Sequence, residues 1–308
     1  MNNLASVLSC TVGAALASTA LVGCSATELE MTALGVAEPT VTVIDAGSGP
    51  KSKVRYDDEG SSQSVTVSVT RGFSQSVTGA DGEERTDPAL PDTTMELPLQ
   101  ASVTGGGADR AVSVTLEEPH GSDTSLNDDL ATAEGFQAAW ESTNAGQRTA
   151  VEVGAPEDAT ATARAGVEAS LRQWLSTPVA FPEEPIGAGA TWTVSTTISD
   201  EVDTEQVVTY SLVSREGEQV ELSAKVELTP VVRTIEGNGV ELEILDVGTK
   251  TEQGRLVVDL GEPIPVSGEL SYVTTVVYGE TGADDTKDDP AGTRITQRTL
   301  RGLSFIAD

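Results

Sequence analysis

Ser64-Val65-Thr66-Val67-Ser68-Val69-Thr70 alternates polar and apolar residues without a break. Successive side chains of a strand point to opposite faces, so the three valines share one face and the hydroxyl residues the other. This is the pattern of a β-strand with one face buried and one face wet. The same alternation recurs at residues 111–116, 191–198, 206–213, 219–228, 240–245, 255–260 and 269–278. Gly, Pro or Asp bounds most of these runs, which is turn chemistry. Short links such as Ser214-Arg215-Glu216-Gly217-Glu218 suit antiparallel neighbours. The expected fold class is therefore mainly β (α+β): two related curved antiparallel β units with one or two helices packed on a face.

Helical spacing occurs in the middle of the chain. Residues 161–175 place Val167, Leu171, Trp174 and Leu175 on one stripe, with Asp158 or Thr160 as cap and Pro178 and Pro182 beyond the end. Residues 125–140 carry Leu126, Leu130, Phe136 and Trp140 with Asp128 and Asp129 early, although Gly135 weakens the pattern. Three stretches, 47–62, 79–92 and 279–292, are rich in acids, Gly and Pro and read as surface loops.

An internal echo supports two units. Residues 146–156 resemble 254–263, and 111–119 resemble 222–230, at nearly equal offsets. The chain divides into an apolar leader at 1–23, a tether at 24–38, a first β unit with helices at 39–180 and a second β unit at 181–308.

The 308-residue chain has a formal net charge of −31, with 18 basic and 49 acidic residues. None of the charge lies in residues 1–23. Such a surface repels nucleic acid, whose phosphates need Lys and Arg clusters. Acidity of this kind serves solubility outside the cytoplasm; calcium-binding loops and a basic partner are the other two readings. Only 4% of residues are aromatic, which argues against a sugar-binding face of stacked rings.

The leader ends in Leu21-Val22-Gly23-Cys24 after a charge-free apolar run. It resembles the lipobox of bacterial lipoproteins, in which the chain is cut between the residues equivalent to Gly23 and Cys24 and the Cys carries a diacylglycerol. The resemblance implies a protein held to the extracytoplasmic face of the cell membrane by a lipid on Cys24, and two acyl chains anchor stably. Met1-Asn2-Asn3 supplies only the terminal amine as a basic n-region. A retained transmembrane anchor and plain secretion are the alternatives. Removal of 1–23 takes away Cys10, so a mature chain has one Cys and no internal disulfide.

Phe181-Pro182-Glu183-Glu184-Pro185-Ile186-Gly187-Ala188-Gly189-Ala190-Thr191-Trp192 resembles the phrase Leu-Pro-x-x-Pro-Val-Gly-x-Gly-x-x-Trp of a family of actinobacterial secreted lipoproteins. Phe181 and Ile186 are mild departures. In that family the phrase follows a helix and opens a strand, with a Tyr-bearing strand next, which Tyr210 matches. The resemblance implies a fold and an address and carries over no site residues. Physically, Pro182 and Pro185 hold an extended crossing, Gly187 and Gly189 permit a bend, and Trp192 anchors the strand to the preceding helix. A ligand-binding turn is the alternative for the glycines.

Catalytic residues are not identifiable. His120 is the sole His; Ser122 and Asp123 lie beside it, but sequence neighbours rarely supply triad geometry and no Gly-x-Ser-x-Gly elbow exists. A zinc site needs more His or Cys, and Gly105-Gly106-Gly107 lacks the Lys-Ser/Thr of a phosphate loop. Asp284, Asp285, Asp288 and Asp289 lack the alternation of an EF-hand. No cofactor or metal is expected. The expected function is a non-catalytic binding or carrier module for an apolar ligand, because a curved sheet with helices on one side can enclose a groove, as in bacterial lipoprotein lipid carriers. The alternative is a structural or protein-interaction lipoprotein of the cell envelope without a small ligand.

Overall fold

A computed structural model describes residues 29–79, 81–86, 88, 90–199, 203–237, 240–280, 285–286, 289–290 and 292–307. Gly23, Cys24 and the leader lie outside the described residues, as do Asp284 and Asp288. In chain order the main elements are β1 (Thr32–Ala33), β2 (Thr40–Asp45), β3 (Ser48–Ser52), β4 (Ser62–Thr78), β5 (Glu84–Thr86), β6 (Thr93–Thr104), β7 (Arg110–Leu116), β8 (His120–Gly121), α1 (Asn127–Leu130), β9 (Gln137–Ser142) and β10 (Arg148–Gly154). Then follow α2 (Ala161–Leu175), β11 (Ile186–Ala188), β12 (Thr191–Ile198), β13 (Thr204–Glu216), β14 (Gln219–Pro230), β15 (Thr234–Gly237), β16 (Val240–Asp259), β17 (Ser267–Glu280), two-residue strands β18 (Asp285–Thr286) and β19 (Asp289–Pro290), and β20 (Arg294–Ala307).

The protein is mainly β and its ladders are antiparallel. Two meanders make one sheet. The first runs β4-β6-β7-β9-β10, the second β12-β13-β14-β16-β17-β20, and β20 pairs with β4. The chain thus leaves the seam, meanders to one edge, crosses through α2 to the other edge and meanders back. The expected boundary at 180/181 falls in that crossing, yet both units belong to one continuous sheet. The sequence echoes do not occupy matching places throughout: 111–116 and 222–228 lie on the third strand of each meander, whereas 148–154 is the fifth strand and 255–259 the fourth.

Short contacts establish that the sheet is curled. Trp174 of α2 packs on Trp140 of β9, ring centroids 6.0 Å apart, and Ser176 accepts a hydrogen bond from Thr196 of β12 at 3.2 Å. Those strands are nine steps apart in the sheet, roughly 43 Å if it were flat at about 4.8 Å per strand. Residues 174 and 176 can touch both only if the sheet wraps around the helix. The amino-terminal segment reaches both edges as well. β1 pairs with β10 and β2 with β12, with only residues 34–39 between them, a reach of about 25 Å at most.

Inward positions fill a single core. Val65, Val67 and Val69 of β4, Leu97 and Leu99 of β6, Val208 and Tyr210 of β13 and Leu222 of β14 are all buried. α2 presents Ala163, Val167, Leu171, Trp174 and Leu175 to them. It spans the expected residues, and the Thr160 side chain accepts from the Ala163 amide as N-cap. At its far end Arg148, pushed down to about 10 by burial, donates Nη2 to the Leu175 carbonyl, where the helix dipole is negative.

Four expectations need correction. The helix at 125–140 is only α1 with flanking 3₁₀ turns; Gly135 turns the chain at φ +86° and Trp140 is an inward residue of β9. Residues 47–62 are not a loose loop, because Val54, Tyr56 and Asp58 are buried. Arg110 grips Asp58 through Nε at 2.8 Å and Nη2 at 2.5 Å, donates to Ser142 at 2.7 Å and lies 4.5 Å over the Tyr56 ring. The expected tether at 24–38 is folded from residue 29 onward in part, since β1 is paired and Leu34 is buried. Finally, 240–245 and 255–260 belong to one strand, β16.

Candidate functional site

Trp192 sits in the core with no exposed surface. It stacks on Tyr210 at 5.9 Å, meets Phe181 at 6.0 Å and donates its indole N–H to the Ala180 carbonyl at 2.8 Å. The Tyr210 hydroxyl donates to the Pro178 carbonyl at 3.0 Å. Trp192 therefore anchors the crossing after α2, while Trp174 on α2 packs against Trp140. Arg55 secures the crossing from outside, donating to the Pro182 carbonyl at 2.8 Å and to Glu183. Pro185 is exposed in the same crossing. Gly189 turns the chain at φ +72°. Gly187 does something else: a Cβ there would lie 2.3 Å from the Ser48 carbonyl oxygen, so it admits the close approach of β3 rather than a bend.

His120 lies on β8 with Nε2 2.9 Å from Glu96. Ser122 accepts from the Thr94 amide at 3.0 Å, and Asp123 accepts from Ser125, which lowers the Asp123 pKa. These three side chains do not converge. Among the described residues no cluster of three or more His, Cys, Asp or Glu could hold a metal, and no helix is long and apolar enough to cross a membrane.

The concave face offers a different site. Between the C-terminal half of α2 and the β4/β20 seam lies an open hollow of about 490 Å³. Its apolar wall is Phe73, Leu90 and Ile198. Phe73 and Leu90 are large hydrophobic side chains left 44% and 68% exposed, so apolar surface stays wet here. Two smaller hollows adjoin. One of about 210 Å³ shares Arg71 and Thr93 and is walled by Val69, Met95, Leu126 and Leu130. The other, about 120 Å³, shares Thr299 and Arg301 and reaches Leu228, Ile244 and Val276.

Polar bonds fix the helix above this groove. Gln173 donates to the carbonyls of Thr70 and Gly302, both at 3.1 Å, one on each side of the seam. Arg71 donates Nε to Gln173 at 2.8 Å and Nη2 to the Ala169 carbonyl. Arg172 donates to the Leu34 carbonyl at 3.3 Å, tying α2 to the amino-terminal segment. All but the Arg71–Gln173 bond end on a main-chain carbonyl of a strand, the helix or the segment, so polar bonds fix this face of α2 over the hollow.

Sequence reasoning expected a groove but named none of its residues. Arg71, Arg172 and Arg301 are far apart in the chain. The usable signal was phase: Arg71 follows Val65, Val67 and Val69 on the inward face, where a charge has no place in a closed core. With the fold and groove described, comparison with protein-family models and with curated proteins finds no match to this chain.

Proposed function

We propose that the chain is an extracytoplasmic lipoprotein, anchored through Cys24, whose folded part binds or carries an apolar ligand in the groove between α2 and the curled sheet and performs no catalysis. The observation that carries this reading is the 490 Å³ hollow with exposed Phe73 and Leu90 on its wall. Ligand sites are typically hollows of about 300–1,000 Å³, mostly apolar with a few placed polar groups. The hollow exceeds the lower figure, and its Arg, Gln and Thr residues make it more polar than a purely aliphatic cavity. Exposed apolar surface that is rimmed by polar residues marks a binding site.

The test is a purification of the full chain from membranes, followed by mass spectrometry of what co-purifies. A stoichiometric lipid in the wild-type protein, lost in Ala169→Trp, supports the reading, because the indole would fill the hollow from the helix side. A lipid-free wild-type protein that also fails to take up oleyl alcohol refutes it.

A further inference from the structure

β10 carries a buried charge without a full counter-charge. Val151 and Val153 point inward, and strict alternation would put Arg148, three residues before Val151, on the wet face. A bulge between Arg148 and Ala150 resets the phase, so Arg148 turns inward and is only 7% exposed. Among the described residues its one hydrogen bond runs from Nη2 to the Leu175 carbonyl, and its Nε is buried without a partner. The carbonyls that end α2 supply about half a negative charge. The ionisable groups facing Arg148 are the phenols of Tyr56 and Tyr210. Burial raises both, Tyr56 to about 12, so both are neutral at pH 7. Asp58 is taken up by Arg110, and the charges that Glu262 meets are Asp259 and Asp58. A buried charge compensated only in part is strongly destabilising.

A hollow of about 50 Å³ lies beside this guanidinium, lined also by Tyr56, Trp140, Thr177, Pro263 and Pro265. No Asp or Glu is among the described residues lining it. One water needs about 10–15 Å³ and organic ligands take about 300 Å³ or more, so the space suits a monatomic or similarly small anion. We infer that this hollow is a binding site for a small monovalent anion of chloride size, held by the Arg148 guanidinium with the Tyr56 hydroxyl as a neutral donor. The anion supplies the part of the counter-charge that the α2 carbonyls do not. It ties β10 to the end of α2 and to the turn at 263–265, where the crossing between the two meanders begins. The site shares no lining residue with the 490 Å³ hollow and does not depend on what that hollow binds.

The experiment compares thermal unfolding of the full chain in sodium chloride and in sodium isethionate at one ionic strength. Sodium then screens the net charge of −31 equally in both, and isethionate is too large for the hollow. Chloride should raise the wild-type melting temperature saturably, by about 3–6 °C at ten times its Kd. Arg148→Met should lose that response. Tyr56→Phe should weaken chloride binding by about three- to tenfold, the scale of one hydrogen bond. Wild-type crystals grown in bromide should show its anomalous peak against Arg148, a reading that stands even if Arg148→Met does not fold. Equal melting in both salts with no bromide peak in the hollow overturns the site and leaves it to water. A chloride response that survives Arg148→Met, or a bromide peak only elsewhere, overturns the assignment to Arg148. Wild-type chloride affinity in Tyr56→Phe overturns the part given to the hydroxyl.

Discussion

Replacing Trp192 by Ala removes the largest fully buried side chain of the crossing that links the two meanders. A Trp buries roughly 150–250 Å², about 4–6 kcal/mol at ~25 cal/mol/Å². Large-to-small changes of aromatic residues in cores cost about 3–5 kcal/mol. The indole N–H bond to the Ala180 carbonyl is lost too, leaving a buried acceptor without that donor. The two routes agree on about 4 kcal/mol. At roughly 2–4 °C per kcal/mol for a chain of this size, the melting temperature should fall by about 8–16 °C. Trp192→Phe keeps a ring against Tyr210 and Phe181 but not the donor, and should cost about 1–2 kcal/mol. Urea and thermal unfolding followed by far-ultraviolet circular dichroism reads both. A Trp192→Ala protein that melts within about 2 °C of wild type would falsify the core-anchor assignment. Equal losses for Ala and Phe would show that the hydrogen bond, and not the ring stack, holds the crossing.

Asp58→Ala should destabilise by about 3–5 kcal/mol, because it strands a buried Arg110 guanidinium, and the double change with Arg110→Met should recover part of the loss; no recovery in denaturant titrations would contradict the pairing. Glu262 has its pKa raised above 4.5 by burial and by Asp259 and Asp58, and its Oε2 has no hydrogen-bond partner. Its folded pKa exceeds the unfolded one, so stability falls as pH rises from 4.5 through the folded pKa. Glu262→Gln should therefore raise the melting temperature at pH 7, with the gain vanishing below 4.5; a gain independent of pH would refute the cause. Cys24→Ser should move the protein from the membrane to the soluble fraction with its leader uncleaved by the lipoprotein peptidase, whereas full membrane retention would favour a transmembrane anchor.

The readable parts of this fold were those whose buried face is uniformly apolar. β12 was legible to the residue, because Trp192, Val194 and Ile198 alternate with wet Thr and Ser. β20 was not, because its inward face passes from Leu303 to Arg301 and Thr299 where it lines the groove. The strand was obscured by the feature that gives it a role. β6 was hidden by Pro98. Its main-chain carbonyl accepts from Glu117, just past the end of β7 at Leu116, so the missing N–H faces a place where the ladder has already stopped. The apparent helix at 125–140 failed because Phe136 and Trp140 are core residues at helical spacing by coincidence, both beyond a left-handed Gly135 that separates them from Leu126 and Leu130. The groove arginines were invisible because only the curl of the sheet brings β4, β20 and α2 together.

The amino-terminal segment makes the molecule directional under tension. A pull on the chain before residue 29 first loads β1, whose ladder to β10 spans only Thr32 and Ala33, together with the adjoining bond from the Leu34 amide to Val151. The next load falls on the Leu34 carbonyl, which holds Arg172 at the groove. The five-pair ladder of β2 on β12 and the long seam of β4 on β20 lie behind these. Force entering at this end peels one sheet edge, pulls Leu34 from the core and slackens the groove wall before it reaches the longer ladders.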